Sequence, residues 1–140
     1  MSILSKLQSI AESACPNYTF QFETKNMMNV DADDQLFPCI FVDEYYDGRY
    51  IKTGNRRYKQ VAVDIHFLDL CDMQNTAMER EAIRERIERE ALMPFMEALN
   101  ADGMFLSVDD YSCSPEPPLF DANAVGLLVR VSLNFLTCSL

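Results

Sequence analysis

The longest regular pattern in the chain is an uninterrupted alternation near its C-terminal end, where Val125, Leu127, Val129, Val131, Leu133 and Phe135 are each separated by one residue. A period of two puts all of these side chains on one face of an extended strand, so the chain must build a sheet with a strongly apolar side and find something to cover it. The rest of the sequence supplies both the other strands and the cover. Tyr18, Phe20 and Phe22 alternate with polar residues, Phe37 to Val42 is a short apolar run, and Val61, Val63, Ile65 and Phe67 line one face of a longer one. Elsewhere the period changes to three and four. Ile3, Leu7, Ile10, Ala11 and Ala14 form one stripe of a helix capped by Ser2 and stopped before Pro16, and Ile83, Ile87, Ala91, Phe95 and Leu99 form another.

The second helix has an explicit start signal. In Thr76-Ala77-Met78-Glu79 the hydroxyl and the carboxylate three residues apart satisfy each other's backbone N–H, which is the capping-box pattern. Arg84 with Glu88, Glu85 with Arg89 and Arg86 with Glu90 are opposite charges four apart on its outer side. Pro94 is expected to kink it or end its first part. Beyond the helix, Met104, Leu106 and Val108 alternate as a strand, and Ser114-Pro115-Glu116-Pro117-Pro118 is expected to interrupt regular pairing. Residues 26–35 read as a loop. Met27, Met28, Met93 and Met96 read as gap fillers of the core. Pro38 places its strand at an edge or stands at its beginning.

The order is therefore helix, three strands, helix, two strands. That order predicts an α+β fold, with a mainly antiparallel sheet of about five strands and both helices on one face. With 140 residues and 49% hydrophobic content, one core and a single domain spanning 1–140 are expected.

Charge is distributed unevenly. Arg49, Lys52, Arg56, Arg57 and Lys59 fall within eleven positions uninterrupted by any acid, so this segment carries +5 and leaves −15 on the rest of a chain whose net charge is −10. It lies between two strand-like runs and contains Asp47-Gly48 and Gly54-Asn55, both turn dipeptides, which predicts a long hairpin with a projecting arm around 43–59. Tyr45, Tyr46, Tyr50 and Tyr58 are interleaved with the cations. Tyrosine and arginine are enriched at protein interface hot spots, and the same mixture can stack single-stranded bases and neutralise phosphates. A solvated hairpin tip is the plain alternative. The acidic remainder disfavours general adhesion to DNA or anionic lipid.

The search for reaction chemistry is mostly negative. His66 is the sole histidine and shares a strand face with Asp64, which reads as a polar outer face in the absence of a second imidazole. Asp31-Ala32-Asp33-Asp34 lacks the glycine and the terminal glutamate of a calcium loop. Asp43-Glu44 and Asp109-Asp110 are adjacent carboxylates whose side chains point apart in a strand. No dinucleotide fingerprint, P-loop or nucleophile elbow occurs, and four glycines leave little backbone for cradling phosphate. The five cysteines, Cys15, Cys39, Cys71, Cys113 and Cys138, are widely spaced with no paired motif, as expected of reduced, separate thiols in a cytoplasm. No leader or membrane-length apolar run is seen. No metal, cofactor, small-molecule substrate or membrane partner is expected.

The opening amphipathic helix, the hairpin from Phe37 to Leu68, the helix from Ala77 to Leu99 and the closing strand from Val125 to Thr137 form a layout that resembles the tail terminator or tail completion proteins of long-tailed bacteriophages. The resemblance implies a small non-enzymatic subunit that forms a ring, often hexameric, at the end of the tail tube, stops its growth and joins it to the head. It further implies a virion location after assembly in the bacterial cytoplasm, tail or neck proteins as partners, and DNA at most passing through the ring. On that view Arg49, Tyr50, Lys52, Arg56, Arg57, Tyr58 and Lys59 of one subunit meet carboxylates such as Asp31, Asp33 and Asp34 of the next. The alternative function is a single-stranded nucleic-acid-binding module that uses the same segment.

Overall fold

The structure is a computed structural model that describes residues 2–23, 36–43, 47–72, 74–103, 105, 110–119 and 124–136. Helix α1 spans Ile3–Ala14, and the Ser2 hydroxyl accepts the Ser5 N–H at 3.1 Å, as the sequence predicts of an N-cap. Its stripe of Ile3, Leu7, Ile10 and Ala11 is buried. The capping box also forms: the Glu79 N–H donates to Thr76 Oγ1 and the Thr76 N–H to Glu79 Oε1, each at 3.2 Å, starting α2 at Ala77–Ile87. The first α-helical part ends ahead of Pro94, which stands at the start of the part that follows. A π-helical turn over Glu88–Leu92, closed by the Met93 N–H on the Glu88 carbonyl, precedes the proline, and the helix resumes as α3 over Met93–Ala101. The wider turn sits where the proline's missing N–H and bulky ring would disrupt an ordinary four-residue ladder.

Strands β1 (Thr19–Glu23), β2 (Cys39–Asp43), β3 (Asp47–Thr53), β4 (Arg56–Leu70), β5 (Ser112–Leu119) and β6 (Ala124–Leu136) form one six-stranded sheet in the order β1-β2-β4-β6-β5. β3 also pairs with β4, so β2 and β3 lie in succession along the same side of that long strand. All pairings are antiparallel except β1 with β2. The fold is thus α+β as expected, and among the described residues two strands, β3 and β5, were not anticipated.

Alternation sorts the sheet's two faces. Ile40, Val42, Val61, Val63, Ile65, Phe67, Leu127, Val129, Val131 and Leu133 pack with the stripes of α1, α2 and α3 in one core, so the helices share a face. At its centre the rings of Phe67 and Phe95 meet edge to face at 5.6 Å. The opposite face carries a smaller cluster of Cys39, Phe41, Leu68 and Ala124.

Several local expectations fail for identifiable reasons. The proline-rich stretch is itself β5, an edge strand whose pairing with β6 becomes irregular between Glu116 and Leu119, because an edge position tolerates missing N–H groups. For Pro38 the second alternative holds, since it stands at the beginning of β2, which is interior, and its carbonyl accepts the Thr19 N–H. Of the three charge pairs on the helix, Arg86 and Glu90 approach to 3.6 Å, while Arg84 turns to Glu81 and to the Glu116 carbonyl. Met96 is buried, but Met93 is exposed. The strand expected at Met104, Leu106 and Val108 lies outside the described residues, as do Met27 and Met28.

Candidate interface on the basic hairpin

β3 and β4 are joined by the two-residue turn Gly54-Asn55, with Thr53 opposite Arg56. Gly54 has φ +62°, the left-handed value that tight hairpin turns require at their first position. Strand alternation then divides the cations between two faces. Tyr50 faces Lys59 and Lys52 faces Arg57 on the helix side, whereas Arg49 faces Gln60 and Ile51 faces Tyr58 on the other, to which Arg56 also belongs. The Lys59 ammonium lies 5.6 Å from the centre of the Tyr50 ring, and Arg49 Nε donates to Gln60 Oε1 at 2.8 Å.

Arg49, Lys52, Arg56 and Arg57 are exposed, Tyr58 and Lys59 are half-buried, and Tyr50 is 74% exposed. Lys52 directly opposite Arg57 is a like-charge cross-strand pair, which weakens a hairpin rather than supporting it. The segment is less an isolated arm than a corner of the sheet. β4 remains paired with β6 as far as Tyr58 opposite Leu136, so only the turn and its nearest pairs pass the last described β6 partner. Asp31, Asp33, Asp34, Tyr45 and Tyr46, the remaining members of the expected interface and its aromatic set, lie outside the described residues.

His66 is placed differently from the sequence expectation. It is 3% exposed and does not sit on a polar outer face: its ring nitrogens meet two carboxylates remote in sequence. Nδ1 contacts Glu116 Oε1, Nε2 lies 3.4 Å from Asp43 Oδ2, and the Phe41 ring stacks on the imidazole with centroids 5.1 Å apart. Asp64, the expected neighbour, instead lies 3.5 Å from Arg130. The two carboxylates are held at opposite ends of the ring and do not converge on a common point, and both ring nitrogens are engaged by them. The arrangement suits a structural clamp between β2, β4 and β5. Glu116 has no sequence signal for this role, because it is flanked by prolines and fifty residues from its partner.

The thiols are also described by their surroundings. Burial pushes Cys15 up to about 11 and Cys39 up to about 12, and the Cys15 thiol donates to the Ala91 carbonyl at 3.4 Å. Since the thiolate is the reactive form, Cys15 is ionised at pH 8 only to on the order of one part in a thousand. A maleimide at that pH is therefore expected to label exposed Cys113 in the folded protein and to reach Cys15 and Cys39 only after denaturant is added. Peptide mapping of the modified sites before and after unfolding checks this. Rapid native labelling of Cys39 would contradict the buried placement.

No family model matches the sequence, and a search of curated proteins likewise finds no match. The class that can be stated is that of an α+β single-sheet protein carrying a basic hairpin on an acidic body. Among the described residues, no helix is long and apolar enough to cross a membrane.

Proposed function

We propose that this chain is a non-enzymatic structural subunit of a phage tail or neck, which assembles with copies of itself into a ring that ends the tail tube and joins it to the head. The observation that carries the reading is the exposed hairpin, where Tyr50 and like-charged Lys52 and Arg57 are displayed by a chain with −15 outside residues 49–59. A basic patch on one subunit and an acidic surface on the next give the head-to-tail complementarity that a ring needs. The order of helix, strands, long helix and closing strand supports the same reading. Other tail or neck proteins are the further partners, and an acidic body suits a passage through which DNA slides without tight phosphate contacts.

Native mass spectrometry over a concentration series tests this reading. The wild type is expected to form a closed oligomer, and the variant carrying Arg49→Glu, Arg56→Glu and Arg57→Glu to remain monomeric, with at least a tenfold rise in the assembly midpoint. A wild type that stays monomeric throughout, or a variant that assembles equally well, overturns the proposal. Salt-sensitive, hairpin-dependent binding of a single-stranded oligonucleotide by a monomeric wild type would favour the nucleic-acid-binding alternative.

A further inference from the structure

We propose that the outer edge of β3 is a strand-addition site, where the outward backbone groups of Gly48, Tyr50 and Lys52 pair with an extended, acid-bearing segment of a second copy of this chain. This deepens the assembly reading and rests on it. With a two-residue turn, the flanking pair Thr53 and Arg56 exchanges both hydrogen bonds, so bonded pairs recur at Ile51 with Tyr58 and at Arg49 with Gln60. The intervening Gly48, Tyr50 and Lys52 must then turn their N–H and C=O groups away from β4. Among the described residues nothing hydrogen-bonds to those outward groups, and all three residues are exposed. Lys52 also has no side-chain partner among the described residues.

The chain treats its sheet edges differently. β5, at the far side, contains Pro115, Pro117 and Pro118, none of which has an N–H to offer, and the Glu116 carbonyl is already taken by Arg84. β1 is only five residues long. β3 has seven residues and no proline, so it retains an intact ladder for another strand. Its charge selects the occupant. Two β3 edges set against each other would bring Arg49 and Lys52 of both copies together, whereas an acidic strand places carboxylates beside them. The −15 carried outside residues 49–59 means that a second copy brings an excess of such carboxylates.

Tyr50→Pro removes one outward N–H without removing a bond to β4, a change that an edge strand tolerates. It is expected to retain the wild-type circular dichroism while raising the midpoint concentration for assembly at least tenfold. Tyr50→Ala loses the ring but keeps the N–H, and is expected to assemble with less than half of that loss on a logarithmic scale. Normal assembly of Tyr50→Pro would overturn strand addition while leaving the assembly reading intact, and a wild type monomeric at every concentration would overturn both. Should the proline variant misfold, hydrogen exchange on the wild type decides the matter. The amides of Gly48, Tyr50 and Lys52 are expected to exchange at least tenfold more slowly in the oligomer than in the monomer, and unchanged rates would refute the pairing.

Discussion

Gly126→Ala is expected to destabilise the protein by at least about 3 kcal/mol, lowering its melting temperature by roughly 10 °C or preventing recovery of folded material. A Cβ at this position would lie 1.8 Å from the Phe67 carbonyl oxygen, 2.8 Å from its carbonyl carbon and 3.0 Å from Leu68 Cα. All three are backbone atoms of β4, so no side-chain rotation relieves the contact. Relief requires β4 and β6 to separate near Leu68 and Gly126, which loosens the ladder joining the two longest strands. The same register places Glu116 of β5 opposite Gly126, so the disturbance spreads to the sheet edge. Gly48→Ala is the control, since its new methyl would meet neighbours at an ordinary 3.7 Å. Thermal and urea unfolding of both variants check the contrast, and a Gly126→Ala protein as stable as wild type would show that the β4–β6 spacing is not as described.

What made the fold legible was periodicity wherever burial was one-sided. The stripe from Ile83 to Leu99 and the alternation from Leu127 to Phe135 each report a surface facing the same core, and the structure places them there. The caps at Ser2 and Thr76 were equally plain, because their partners are three residues away. β5 was hidden because proline chemistry argues against pairing in general, whereas its position at an edge removes most of the penalty, and edge position is a property of the whole sheet. In the candidate interface, composition exposed the cations and their turn, but only the register separates Arg49 and Arg56 on one face from Lys52, Arg57 and Lys59 on the other. His66 was the clearest failure: Asp64 is the near neighbour in sequence, while Asp43 and Glu116 reach the imidazole from strands whose adjacency no local pattern encodes.

His66→Leu is expected to cost about 3–5 kcal/mol, because it strands a buried carboxylate. The Glu116 side chain is 7% exposed and His66 is its partner on this face of the sheet, whereas Asp43, at 25%, keeps enough access to water to be solvated alone. The imidazole also provides the surface on which Phe41 stacks. β5 needs such a clamp more than an interior strand does, since it is an edge strand with three prolines and holds the helix through the Glu116 carbonyl to Arg84. The cause can be separated from simple loss of packing by adding Glu116→Leu. Removing both partners leaves no stranded group, so the double variant is expected to recover at least half of the single variant's loss, while its backbone carbonyl still accepts from Arg84. Denaturant unfolding of the wild type, both single variants and the double variant completes the cycle. A His66→Leu loss below about 1 kcal/mol, or a double variant whose loss equals the sum of the two singles, would mean that the carboxylate is solvated and that the three-strand clamp does not hold the edge.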